Sequence, residues 1–286
     1  MSSTKEQQRV ILVTGANKGI GFYVIKRLLD RSESANTTIL LGSRDLDRGQ
    51  NAIEQLGSPS NVHVLQLDVS SAQSIHQAVN TIKEKYDGHL DVLINNAGVL
   101  NSDMTVDAAR QAFAVNYYGV KTLNEQMLPI IREDGRIINV SSQMGPMGLY
   151  ESSIELQKKY TSPSLTIEEL DQLVENFISA IETSTLEDAG YYIKTHFAIY
   201  GISKAALNAL TQIEAREWNS SKNRLVLSVS PGFCATDMTS HASDARPPEL
   251  GADSILHAVY TPANELHNGG FYRDGIELPL ISEAST

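Results

Sequence analysis

Tyr200 and Lys204 stand four residues apart, so a helix would place them on one face, one turn from each other. An ammonium beside a phenol favours the phenolate and lowers the tyrosine pKa. A tyrosine so tuned can donate or accept a proton near neutral pH. A serine hydroxyl nearby could bind the oxygen that gains or loses that proton, and Asn139-Val140-Ser141-Ser142 supplies two at the end of an apolar run. Neither fragment is informative alone, since many helices contain Tyr-x-x-x-Lys by chance. A third stretch, Thr14 to Gly21, reads Thr-Gly-Ala-Asn-Lys-Gly-Ile-Gly. Gly15 permits a backbone angle that other residues avoid, and Gly19 and Gly21 remove side chains where a ligand or a neighbouring strand must come close. The N–H groups of a helix starting there favour an anion, and a pyrophosphate suits the place. A tight turn with no ligand satisfies the same three glycines.

The elements around these residues decide what they can do. Val10 to Val13 reads as a buried strand and Phe22 to Leu29 as a helix packed on a sheet. Further strands are read at Thr37–Ser43, Val62–Leu67, Leu90–Ile94, Gly135–Val140 and Leu225–Ser230. Helices are read at Asp45–Gln55, Ser71–Tyr86, Ala108–Leu128 and Tyr200–Trp218, with Pro129 stopping the third. This alternation predicts an α/β fold: a doubly wound parallel sheet, or Rossmann fold, with its ligand site at the carboxyl ends of the strands. No linker divides the chain, so residues 1–286 are read as one domain, with residues 1–8 flexible.

One stretch breaks the alternation. Residues 146–196 precede the tyrosine and are too long for a plain loop, so they are read as a helical insertion. Ser152 with Glu155 and Thr166 with Glu169 each fit a capping box. Leu170, Leu173, Val174, Phe177, Ile178 and Ile181 form an amphipathic stripe for a helix lying on the body of the protein. From Gln143 to Ile199 there are nine acidic and three basic residues, a balance of −6 within a chain total of −11, read as a solvated outer face.

Composition excludes several functions. The net charge of −11 argues against nucleic acid and anionic membranes, which need a basic footprint. No apolar run approaches a membrane span, and residues 1–8 lack the apolar core of a signal peptide. Ser2 gives no myristoylation signal, and the ending Glu-Ala-Ser-Thr is no peroxisomal address. The single cysteine, Cys234, fits a reducing compartment, and a cytoplasmic enzyme is expected. The seven histidines show no metal-ligand spacing, so no metal is expected.

Taken together, the motifs resemble the short-chain dehydrogenase/reductase family, and within it the monomeric NADPH-dependent carbonyl reductases. The resemblance runs from about Arg9 to Gly275 and rests on the glycine loop, Leu67-Asp68-Val69, Asn95-Asn96-Ala97-Gly98, Val115-Asn116, Asn139 to Ser142, Tyr200-x-x-x-Lys204 and Ser230 to Met238. It implies that Tyr200 is the general acid in carbonyl reduction and that Ser142 positions and polarises the carbonyl. It implies that Lys204 lowers the tyrosine pKa and binds the nicotinamide ribose, and that Asn116 holds a water linking Lys204 to solvent. Asp68 and Val69 would flank the adenine, while Asn95 to Gly98 would support the sheet and touch the adenosine ribose. Pro231, Gly232, Cys234 and Thr236 belong to the segment that would contact the nicotinamide and a phosphate, although Cys234 reads equally as packing. Gly15, Asn17, Lys18, Gly19, Ile20 and Gly21 complete the cofactor loop. The insertion would cover the surface that relatives use to form tetramers, leaving a monomer.

The cofactor expectation sharpens at the second strand. NAD-selective sites place an acidic residue at its end. Here the strand ends in Gly42-Ser43-Arg44, with no acid until Asp45, which should cap the next helix. Arg44 can fork onto phosphate oxygens and Lys18 can reach the same group, so NADPH is expected. The partner is a small-molecule carbonyl compound, with Met144, Met147, Tyr150, Tyr191, Tyr192 and Phe197 as candidate pocket walls. The competing readings are a catalytically idle NADP(H)-binding redox-sensing module and an isomerase or dehydratase using the cofactor transiently. Retention of both Tyr200 and Lys204 favours the reductase.

Overall fold

The structure, a computed structural model, describes residues 8–86, 88–193, 195–218 and 223–283. The expected flexible tail and the C-terminal Glu-Ala-Ser-Thr lie outside the described residues, apart from Gln8 and Glu283. The elements run β1 (Arg9–Val13), α1 (Gly19–Leu29), β2 (Thr37–Ser43), α2 (Leu46–Gln55), β3 (Val62–Gln66), α3 (Ala72–Lys85), β4 (Leu90–Asn95), α4 (Val106–Phe113), α5 (Val120–Met127) and β5 (Ile131–Val140). They continue α6 (Met144–Tyr150), α7 (Ile154–Tyr160), α8 (Ile167–Glu182), α9 (Ala198–Trp218), β6 (Leu225–Val229), α10 (Pro248–Tyr260), β7 (Phe271–Arg273) and β8 (Ile276–Leu278).

All eight strands form one sheet in the order β3-β2-β1-β4-β5-β6-β7-β8. Every neighbouring pair is parallel except β7–β8. Parallel strands covered on both faces must be apolar on both, and all seven residues of β2 are buried. α1, α2 and α10 supply Val24, Ile25, Ile53, Ile255 and Val259 to one core layer. α3, α5 and α9 supply Ile75, Val79, Leu123, Met127 and Ala215 to the other. The chain turns back between β1 and β4, and a crevice opens there at the carboxyl ends of the strands.

The doubly wound sheet is the fold that the alternation predicts, with differences that have local causes. β7 and β8 have three residues each, too few for a periodic signal. α10, which follows two prolines, was not anticipated either. β5 begins at Ile131 rather than Gly135, because Ile131 pairs with Leu90 ahead of a register shift. The long helix expected from Ala108 starts at Val106, capped by Thr105, and is interrupted by a π-helical turn at Ala114–Gly119.

The insertion is helical. Thr166 and Glu169 form the reciprocal capping box at the start of α8, with hydrogen bonds of 3.2 and 3.0 Å. The other expected box does not form, and a simple cap one residue later takes its place. Ser153 caps α7 by accepting from the Leu156 N–H at 3.2 Å, while Ser152 donates to the Gly148 carbonyl. α8 buries the whole expected stripe. Phe177 lies edge-on to Tyr191 at 4.8 Å and tilted on Phe113 at 5.9 Å. Each such side chain contributes ~2 kcal/mol relative to exposure. Two of the nine acids of this stretch, the half-buried Asp171 and the exposed Glu175, bond to side chains of the neighbouring helix rather than to solvent alone. Asp171 accepts from Tyr117 Oη at 2.7 Å and Lys121 Nζ at 2.6 Å, and Glu175 accepts from Tyr118 Oη at 2.8 Å.

Candidate active site

The site begins at the hinge between β1 and α1. Gly15 and Gly19 adopt left-handed backbone angles of +61° and +58°, which side chains resist. A Cβ on Gly21 would lie 2.5 Å from Asn96 Nδ2, so that glycine serves packing of the two loops. The N-cap of α1 is Lys18, and no side chain caps it. By contrast Asp45, Ser71, Thr105, Ser153 and Thr166 cap their helices with a side-chain oxygen. The first N–H groups of α1 are thus left for an external anion, and these residues fit a pyrophosphate.

From this loop a cleft of about 470 Å³ runs along the carboxyl ends of the strands. Its wall includes Gly15, Asn17, Lys18, Gly19, Ile20, Ser43, Arg44, Asp68, Val69, Asn96, Ala97, Gly98, Pro231 and Thr236, together with Tyr200 and Lys204. Arg44 is exposed and has no ion-pair partner among the described residues. Asp45 does cap α2, accepting from the Arg48 N–H at 2.9 Å. Gly21, Asn95, Asn116, Ser142, Gly232 and Cys234 do not line the cleft. Cys234 is buried and donates to the Pro231 carbonyl.

Fifty-eight positions separate Ser142 from Tyr200, and packing of α6 on α9 closes that gap. The contact needs small residues: a Cβ on Gly145 would lie 2.9 Å from the Ala205 nitrogen, and one on Gly201 would lie 3.0 Å from the Met144 carbonyl oxygen. Tyr200 sits in the first turn of α9, and Lys204 one turn later carries its Nζ 5.7 Å from the Tyr200 ring centre. Burial pushes the Tyr200 phenol up to about 12, while its contact with the Ser142 hydroxyl pulls the other way. Burial also pulls the Lys204 ammonium down to about 8. The Lys204 Nζ donates to the Val140 carbonyl at 2.8 Å.

Asn116 lies in the π-helical turn and is fully buried. Its side chain is occupied by protein: Oδ1 accepts from the Val99 N–H, and Nδ2 donates to the Val99 carbonyl and to Ser203 Oγ. Its amide thus fixes the segment after β4, which carries Val99 and Leu100 on the cleft wall. Asn95 lies in an interior polar layer, donating to Asn124 Oδ1 at 2.6 Å and Asn139 Oδ1 at 2.8 Å. Asn139 in turn donates to Thr211 of α9, tying the strand that ends in Ser142 to the helix that carries Tyr200.

Several wall residues escaped the sequence reading. Arg48, in the first turn of α2, joins Arg44 on the wall. Asp237 and Met238, at the end of the Ser230 to Met238 motif, also stand on the wall. None of the candidate substrate-pocket residues lines the cleft. Tyr191 is buried against Phe177, and Tyr150, Tyr192 and Phe197 are exposed. Among the described residues no helix is long and apolar enough to cross a membrane.

Residues 9–154 match the family model described as short chain dehydrogenase, and residues 156–264 match that described as enoyl-(acyl carrier protein) reductase. Carbonyl reductase (NADPH) 1 of Mus musculus is 34% identical over 284 residues, covering 96% of this chain and 98% of that protein. The (+)-neomenthol dehydrogenase of Capsicum annuum is 30% identical over 319 residues, again covering 96% and 98%. Among solved structures, salutaridine reductase from Papaver somniferum superposes with a TM-score of 0.81 at 28% identity, covering 93% of this chain and 99% of that one.

Proposed function

The chain belongs to the short-chain dehydrogenase/reductase family and is an oxidoreductase, and on that footing we propose that it reduces a ketone or aldehyde to the alcohol with NADPH. The observation that carries the reading is the meeting of Tyr200 and Lys204 with the glycine loop on one cleft wall. The cleft would hold NADPH, which when bound would supply the hydride for the carbonyl carbon. Tyr200 gives its phenolic proton to the carbonyl oxygen as charge develops there. Ser142, in contact with Tyr200, holds that same oxygen and orients it. Lys204 binds the nicotinamide ribose and returns a proton to the tyrosinate. Glycine-loop N–H groups receive the pyrophosphate, Asp68 and Val69 flank the adenine, and Arg44 with Lys18 receives the 2′-phosphate. Arg44, exposed just after β2 and without an ion-pair partner among the described residues, and the NADPH in the name of the mouse relative both support that cofactor.

The test is NADPH consumption with a panel of aldehydes and ketones, run against NADH. Turnover with NADPH, falling at least about tenfold with NADH, is the expected result, since a hydrogen bond to a charged group is worth about 1.5–3 kcal/mol. Tight NADPH binding with no turnover of any carbonyl would identify the idle cofactor-binding module instead.

A further inference from the structure

Lys18 and Asp237 both line the cleft and face one another across it. Lys18 Nζ donates to Asp237 Oδ2 at 2.7 Å. The two walls nearly touch beside this pair, where a Cβ on Gly19 would lie 3.7 Å from Thr236 Cγ2. Asp237 starts a short 3-10 turn on the loop that follows β6. The base of that loop is pinned, with the Arg246 N–H donating to the Phe233 carbonyl at 2.8 Å and the Ala235 N–H to the Arg246 carbonyl at 2.9 Å. Its tip is strained, since Ser240 and His241 both hold left-handed angles, +50° and +51°. The second carboxylate oxygen of Asp237 has its own partner, His241 Nε2 at 3.0 Å.

We propose that Asp237 tunes the choice of cofactor by holding Lys18 in place of the 2′-phosphate. The inference rests on the reading that Lys18 and Arg44 receive that phosphate. One ammonium cannot serve a carboxylate and a phosphate fully, and the more highly charged group wins it. NADPH must therefore take Lys18 from Asp237, whereas NADH shares the pyrophosphate but lacks the 2′-phosphate that competes for it. The carboxylate then subtracts from NADPH affinity and leaves NADH affinity nearly alone. Transfer strands no charge, because His241 still faces the released carboxylate. Lys18 and His241 both lower the Asp237 pKa, so the group is ionised at neutral pH. The side chains are 63% and 60% exposed, which keeps the effect modest. Exposed pairs of this kind shift an equilibrium by up to about fivefold.

Equilibrium titration of NADPH and NADH, followed by cofactor fluorescence, tests this on the full chain. Asp237→Asn should tighten NADPH about two- to fivefold while NADH changes by less than about 1.5-fold. The gain should vanish in a Lys18→Gln background. Unchanged or weaker NADPH binding, an equal shift for both cofactors, or a gain that survives Lys18→Gln overturns the proposal. Arg44→Ala reports separately on the reading beneath it. If that variant keeps the NADPH preference, the phosphate assignment fails and the inference with it. If Arg44→Ala loses the preference while Asp237→Asn shows no selective gain, the inference about Asp237 alone fails.

Discussion

Glu214 lies near the C-terminal end of α9 and is 1% exposed, with Oε2 accepting from Asn124 Nδ2 at 2.8 Å. Its Oε1 has no partner among the described residues. Burial pushes its carboxyl well above the usual range; Glu125 and Glu217 add to this, while the Asn124 hydrogen bond and Lys121 oppose it. The folded protein thus keeps a proton that the unfolded chain loses above its ordinary carboxylate pKa. Folding stability accordingly falls as pH rises through that window, at about 1.4 kcal/mol per pH unit. Glu214→Gln removes the dependence. Its melting temperature should match the parent near the unfolded carboxylate pKa and exceed it increasingly towards neutral pH. A constant difference across pH would show that the carboxyl is ionised in the fold. Residues that act through type and local spacing were legible in the sequence, as with Gly15 and Gly19, whose angles are left-handed, and Tyr200 and Lys204, which share a helical face. Residues defined by distant partners were not: nothing local pairs Lys18 with Asp237, or Asn116 with Val99 and Ser203.

At the scale of elements, α8 is held by more than its apolar stripe. Tyr117 and Lys121 approach Asp171 from the helix beneath, and the Tyr117 side chain is fully buried. Asp171→Ala strands that hydroxyl and the ammonium together, so denaturant unfolding should show a loss of about 2 kcal/mol. Tyr117→Phe leaves Asp171 with its lysine and should cost under about 1 kcal/mol. Equal losses would mean that packing alone holds the helix down. The α8 stripe was legible because sixteen residues repeat a helical period over four turns and carry a capping box. The π-helical turn was not, because Ala114–Gly119 keeps a helical composition and its irregularity follows from tertiary bonds at Asn116. β7 and β8 gain their structure from pairing with β6 and with each other rather than from their own three residues.

For the whole molecule, we propose that the chain folds as one domain and remains a monomer. α8 lies against α4 and α9, and its acids occupy Lys121 and Tyr117 on the same side. A face covered in this way offers no helix pair to a second copy. Light scattering at micromolar concentration should return the mass of a single 31.3 kDa chain. A stable tetramer would show that association uses another surface.

The central claim is that Tyr200 donates the proton, and Tyr200→Phe tests it most directly. The ring and its packing stay, and only the phenolic hydroxyl goes. NADPH should bind with nearly unchanged affinity while carbonyl reduction falls by about 10²–10⁴-fold. Reduction at near-parental rates across several carbonyl substrates would contradict the assignment.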